Sequence, residues 1–158
     1  MAEAVRREAV EDEADLTRFL SYRLMRLHSA LNAQASAILS DEGLTLGQWR
    51  LLALCGGGLA ATSRDFARFF GLDPAFVSRT LRALAETGLM EVRRHGGDRR
   101  MLDVTLTDRG RALHDAILPR MRERQAALLD ALDPAERHAL HPILDKLERA
   151  AERRDFPA

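Results

Sequence analysis

The stretch that decides the fold runs from residue 63 to residue 110: SRDFARFFGLDPAFVSRTLRALAETGLMEVRRHGGDRRMLDVTLTDRG. Its own punctuation divides it. Ser63 can cap a short helix carrying Phe66, Ala67, Phe69 and Phe70, and Gly71 makes the turn after it. Asp73-Pro74 opens a second helix, with the acid at the N-cap and proline at the first helical position. Val77, Leu81 and Leu84 recur at helical spacing on its inner face, and Gly88 ends it. Helix, tight turn, helix is the spacing of a helix-turn-helix. Two short runs, Leu89 to Arg94 and Met101 to Leu106, then read as strands. In the second, Leu102, Val104 and Leu106 alternate with Met101, Asp103 and Thr105, so one face is apolar. Gly96-Gly97 lets the chain reverse between them, since glycine accepts the positive φ that such turns can call for.

Outward from this stretch the chain is helical. From Asp15 to about Leu39, Leu16, Phe19, Leu20, Leu24, Leu27, Leu31 and Ile38 recur mostly at three- and four-residue steps. That predicts a long amphipathic helix, ended by Asp41-Glu42-Gly43. Thr45 and Gln48 form a capping box for a helix running through Trp49 to Cys55, and Gly56-Gly57-Gly58 breaks it. Thr107 caps a fifth helix from Asp108 to about Leu132, in which Pro119 predicts a kink. Asp133-Pro134 starts a sixth that ends near Arg154, with a second kink or break predicted at Pro142. The fold class is mainly α with a small β-wing: a winged helix-turn-helix core flanked by N- and C-terminal dimerisation helices. The expected layout is a mobile segment over 1–14 and a dimerisation helix over 15–44. A winged lobe follows over 45–110, then C-terminal dimerisation helices over 111–158. Long terminal helices with apolar stripes need a partner surface, and a second copy is the natural one.

Composition narrows the function. The chain has 158 residues, 46% of them hydrophobic and 30% charged, which fits a globular domain with a core. No run of 18 apolar residues exists, and the acidic start MAEAVRREAVEDEADL has no apolar signal core. Neither a membrane span nor a secretory signal is predicted. A single cysteine, Cys55, agrees with a reducing cytoplasm. The formal net charge is zero, but the charge is segregated. Residues 1–15 carry six acids against Arg6 and Arg7, whereas residues 76–100 carry six arginines against three acids. The local field is what phosphate meets. Arg99 and Arg100 sit at the tip of a finger thin enough for a DNA minor groove, where a guanidinium suits the negative potential.

The chain resembles the MarR family of bacterial transcriptional regulators. The resemblance rests on LTLGQWRLL, on DFARFFGLDPAFVSRTLRALAETGLMEV and on GGDRRMLDVTLTDRGRAL, and it covers roughly residues 15 to 150. It implies a triangular homodimer closed by the terminal helices, with the fourth helix in the major groove and the wing in the minor groove. It also implies an effector, often a small aromatic acid, bound between the dimer region and the DNA-binding lobe. Arg100 aligns with the arginine of the family's Asp-x-Arg wing motif, oriented by Asp98, with Arg99 reaching a phosphate. Ser78 and Arg79 occupy the family's Val-Ser-Arg position. Arg79 would reach a guanine edge or a phosphate, and Ser78 a phosphate or a base. Ala75, Phe76 and Arg82 share or border that outward face. Phe76 replaces the small polar residue common there; it either meets a thymine methyl or packs against the preceding helix. Ser63 and Arg64 open the third helix, where side chain and helix N-terminus can contact phosphate.

Arg26, His28 and Trp49 are candidates for an effector pocket: an indole, a hydrogen-bonding imidazole and a cation suit an aromatic acid. The competing reading places Trp49 in the core. Cys55 beside Leu51, Leu52 and Leu54 reads as a buried, inert thiol, with a redox switch as the alternative. His138 and His141 are three apart on one helix but lack a third metal ligand of convincing spacing. No nucleophile elbow, phosphate-binding loop or carboxylate pair stands out, so no enzyme, metal or cofactor is expected. The reading is a cytoplasmic, ligand-responsive homodimeric repressor of a pseudo-palindromic double-stranded DNA operator, with no membrane partner. A winged-helix module that acts through protein partners, its DNA affinity weak or lost, is the alternative, and zero net charge favours it.

Overall fold

The computed structural model describes residues 16–96 and 101–152. Its elements are α1 (Leu20–Ser40), α2 (Leu46–Gly56), α3 (Ser63–Phe70), α4 (Pro74–Glu86), β1 (Met90–Arg94), β2 (Leu102–Leu106), α5 (Asp108–Leu129) and α6 (Pro134–Ala151). The segment 1–14, expected to be mobile, and the wing-tip residues Asp98, Arg99 and Arg100 lie outside the described residues. The chain divides into two compact units, Met1–Ile117 and Leu118–Ala158.

Caps set most of the helix starts. Thr45 and Gln48 form the expected box on α2, and the Asp73 carboxylate accepts from the Phe76 N–H at the head of α4. The α3 boundary differs from the expectation. Its N-cap is Thr62, not Ser63, because Asp65 lies three residues after Thr62 and closes a reciprocal box with it. Ser63 is thereby the first helical residue. α1 starts at Leu20 rather than Asp15: Phe19 occupies the cap position with no side-chain cap bond, behind a turn in which its N–H donates to Leu16 O at 3.1 Å. Gly71 takes φ +60° and lets α3 turn directly into α4, a conformation that strains any other residue.

The core of the first unit gathers one stripe from each helix. Leu39, Leu51, Leu52, Phe66, Val77, Leu81, Leu84 and Ile117 are completely buried, with Met90 and Val104 from the hairpin beside them. β1 and β2 pair antiparallel in the register Met90↔Leu106, Val92↔Val104 and Arg94↔Leu102. β2 is held on its other edge too: Val104 N–H donates to Ala61 O at 2.8 Å, and Thr62 bridges Asp103. α5 enters the unit on the stripe Gly110, His114 and Ile117. Its entry is tied to the end of α4 by Thr107 N–H to Leu89 O, Thr107 Oγ1 to Gly88 O, and Arg109 Nη1 to Thr87 O.

α1 is the exception to this packing. Only Ala35 and Leu39 near its end are buried, while Leu20, Tyr22, Leu24, Met25 and Leu27 stand between 42% and 57% exposed. The second unit closes the α5–α6 turn through Arg137, which donates to Leu129 O at 2.8 Å and to Asp130 Oδ1 at 3.1 Å. Asp133 and Glu136 form a capping box on α6, with Pro134 at its first position. α5 ends at Leu129 rather than Leu132, and α6 at Ala151. Neither Pro119 nor Pro142 breaks its helix. Each proline is exposed, and so is the residue four before it, Asp115 or His138, whose carbonyl loses its helical partner.

Candidate nucleic-acid interface

α4 buries Val77, Leu81 and Leu84 and turns the opposite face to solvent. That face carries exposed Ala75, Phe76, Arg79 and Arg82, with Ser78 half-buried at its edge. α3 presents its own start beside it. Ser63, Arg64 and Ala67 of α3, Pro74 and Ser78 of α4, and Met101 at the foot of β2 line one concavity of about 180 Å³. The structure therefore brings three of the expected contact residues, Ser63, Arg64 and Ser78, onto a single surface with the root of the hairpin.

Ser63 is the joint. Its Oγ accepts the Leu102 N–H at 3.1 Å, which leaves the hydroxyl proton to donate outward. Backbone and side-chain bonds from residues 61–63 thus hold β2 against the head of α3. The Thr62 hydroxyl and the backbone N–H groups of Ala61 and Thr62 all donate to the Asp65 carboxylate, at 2.8, 3.3 and 3.0 Å. These bonds, the Thr62 side chain first, hold the Asp65 carboxyl below its ordinary value. The α3 N-terminus is fixed before any ligand arrives.

Phe76 packs at the start of α4 against α2. A Cβ on Gly47 would lie 3.0 Å from the ring's Cζ, so glycine there leaves the notch that the ring fills. The ring is 37% exposed and lines an open cleft of about 530 Å³ with Thr45, Gly47, Gln48, Arg79 and Thr80.

The proposed effector residues are dispersed. Trp49 is 7% exposed and stacks on buried His114, with ring centroids 5.9 Å apart and planes at 19°. His114 Nδ1 pairs with Asp115 at 2.7 Å, and its ring fills the space a Gly56 side chain would take. His28 is exposed on α1, where its Nε2 accepts from Asn32 Nδ2 at 2.9 Å. Asn32 in turn accepts from Arg50 Nη2 at 3.0 Å, and Arg50 lies over the Phe70 ring. Arg26 is exposed on α1. Among the described residues no hydrogen bond or ring contact joins Arg26, His28 and Trp49. Sequence reasoning passed over His114, Arg50 and Asn32, because nothing in their spacing marks a partner on another helix.

Cys55 lies half-buried under the hairpin, its Sγ 3.7 Å from Val104 O. Burial pushes its thiol above the ordinary value, against smaller opposing effects of a backbone hydrogen bond and the Arg111 charge. A thiol kept protonated is a poor nucleophile and a poor redox sensor. No helix among the described residues is long and apolar enough to cross a membrane.

Comparison with known proteins places this geometry. The model of the MarR family matches residues 42–101, from the end of α1 to the foot of β2. The HTH-type transcriptional repressor Rv2887 of Mycobacterium tuberculosis is 34% identical over 94 residues, which are 60% of this chain and 68% of that repressor. The structure of Rv2887 in complex with salicylic acid is 30% identical, covers 82% of this chain and 96% of its own, and superposes with a TM-score of 0.61. The Staphylococcus aureus MepR–DNA complex is 22% identical, covers 85% and 100%, and has a TM-score of 0.77; at that identity it speaks for the fold alone.

Proposed function

This chain belongs to the MarR family of transcriptional regulators, and from that membership we propose that it acts in the cytoplasm as a ligand-responsive homodimeric repressor of a pseudo-palindromic operator. The observation that carries the reading is the bonded union of α3 and the hairpin. Ser63, Arg64, Ser78 and the hairpin root form one surface, and Arg79 and Arg82 continue it along α4. On this reading α4 enters the major groove, where Arg79 reads a guanine edge or holds a phosphate and Ala75, Phe76 and Arg82 flank it. Ser63, Arg64 and Ser78 take phosphates. Asp98 orients Arg100 for the minor groove, and Arg99 takes a phosphate beside it.

The second copy follows from α1. Five large apolar side chains at 42–57% exposure are a cost that association removes, at about 25 cal/mol for each Å² covered. The C-terminal helices are proposed to complete that interface, as the winged lobe over 45–110 is proposed to carry the DNA contacts. A small aromatic acid is the proposed effector class, because Rv2887, a relative, has been crystallised with salicylic acid. Arg26 and His28 would meet it on α1. Trp49 joins them only if its stack with His114 opens. No enzymatic step is assigned.

The test starts from a pool of random duplexes selected by the wild-type protein. The expected product is two inverted half-sites whose centres lie about 10–10.5 base pairs apart or a multiple of that. Arg79→Ala should weaken binding to the selected duplex by about ten- to hundredfold, as loss of one bidentate base contact does. Failure to enrich any sequence at low salt would sink the proposal.

A further inference from the structure

We propose that His95 and Asp103 form a pin that positions the wing loop, and that DNA affinity depends on the pair although neither side chain needs to touch DNA. The inference rests on the DNA-binding reading above and adds to it a pair of positioning residues.

His95 is the last residue of the first hairpin arm before the loop that carries Asp98, Arg99 and Arg100. Its backbone N–H donates to Met101 O at 3.0 Å, closing the hairpin at its upper end. Its ring does something the ladder does not require. Nδ1 reaches diagonally down the sheet face to Asp103 Oδ1 at 2.7 Å. The residue directly opposite Asp103 is Arg93, whose guanidinium bonds Glu91 Oε2 at 2.9 Å instead. Asp103 is therefore taken by the imidazole even though an arginine stands across from it.

Asp103 lies between the two points at which β2 is tied to the head of α3. Its neighbours Leu102 and Val104 donate to Ser63 Oγ and Ala61 O, and it stands opposite Thr62 in an isolated antiparallel bridge. Through it the His95 ring is fixed to the segment that caps α3. A hairpin joined to the body along one strand alone swings about its base. Here the arm that delivers the loop is held to a strand fixed on both edges. An arginine must enter a narrow groove at a set distance from α4, and such holding removes orientations that would otherwise be lost on binding. The bond forms with either protonation state of the ring, since Nδ1–H donates to the carboxylate in both.

The experiment measures affinity for the selected duplex by fluorescence anisotropy, with hydroxyl-radical and guanine N7 footprints of each complex. His95→Ala and Asp103→Ala should each raise Kd about tenfold, and the double variant no further than either one. His95→Asn, whose Nδ2 stands where Nδ1 stood, should restore most of the affinity. Sugar protection in the outer minor grooves should fade while guanine protection under α4 persists, a split that general destabilisation would not produce. If His95 instead works as a cation against phosphate, Asp103→Ala leaves Kd unchanged or lowers it, and His95→Ala flattens the salt dependence by about one charge. That result overturns the pin, as does wild-type affinity in both single variants. A wild-type protein that selects no duplex refutes the DNA reading itself, a separate outcome.

Discussion

Gly110 offers a test in which two physical effects predict opposite signs. It lies in the first turn of α5, buried, where a glycine is normally a weakness. Replacing it with alanine should gain about 1 kcal/mol from helix propensity alone. The structure predicts the reverse. A Cβ built on Gly110 falls far inside the van der Waals contact distance of the Leu89 carbonyl oxygen and 2.9 Å from its carbon. Both atoms are backbone, so no rotamer can give way. Leu89 is itself fixed, since its N–H donates to Leu84 O at 2.9 Å and its carbonyl accepts from Thr107 at 3.2 Å. Relief requires α5 to lift away by about 1 Å, which strains the bonds from Thr107 to Leu89 and Gly88 and from Arg109 to Thr87. Overpacking costs about 1–3 kcal/mol and one or two weakened hydrogen bonds about 1 kcal/mol each. Set against the propensity gain, Gly110→Ala should lose about 1–4 kcal/mol. In urea that lowers the midpoint by about 0.5–2 M at a slope of about 2 kcal/mol per M. The measurement is circular dichroism at fixed protein concentration, because a dimer's midpoint depends on it. Gly96→Ala is the control: among the described residues nothing lies within 4 Å of its added methyl, and its midpoint should hold. A Gly110→Ala midpoint equal to or above wild type would refute the close approach of α5 to the hairpin.

Two further outcomes follow from titrating groups. Asp65 has its carboxyl held low by the α3 capping box, so the stability it supplies is fully present above the ordinary carboxylate value of about 3.9 and is lost as pH falls through its lower folded value. Asp65→Asn should accordingly be less stable than wild type at pH 7, with the gap closing below about pH 4; a gap that stays constant with pH would dissociate the carboxylate from the cap. Cys55, pushed up by burial, should react with iodoacetamide at pH 8 more slowly than free cysteine does, and faster once urea unfolds the chain. Equal rates in the folded and unfolded protein would revive a reactive thiol.

The helix frame was readable because caps are local. Thr45 with Gln48, Asp73 with Pro74 and Asp133 with Pro134 each announce a start within four residues, and the structure begins α2, α4 and α6 there. Ser63 shows the limit of that legibility. Thr62 and Ser63 are both competent caps, and the choice is made by Asp65, which stands three residues after Thr62 and closes a reciprocal box with it. The prolines at 119 and 142 read as a kink, and at 142 as a kink or a break; both helices run on through them, and what a proline costs inside a helix depends on whether the orphaned carbonyl is buried, which is a tertiary property.

The site divides along the same line. Ser78, Arg79 and Arg82 could be placed from periodicity, because an outward face is simply the complement of Val77, Leu81 and Leu84. The couplings between elements could not. Trp49 reads as core, with a pocket wall as the rival, and the partner that holds it there, His114, is seen only when the two rings are found stacked. His95 reads as part of a polar turn until its ring is found on Asp103 rather than in solvent. Phe76 reads either as a contact for a thymine methyl or as packing against the preceding helix until Gly47 of α2 supplies its notch. In each case the missing information is a partner distant in sequence. Those partners decide how rigidly the readable residues are presented. A net charge of zero makes such rigidity matter more: with little long-range attraction to spend, binding has to come from contacts already set in place. The ties that lock β2 to α3, and α5 to the end of α4, are where substitutions remote from DNA should change its grip.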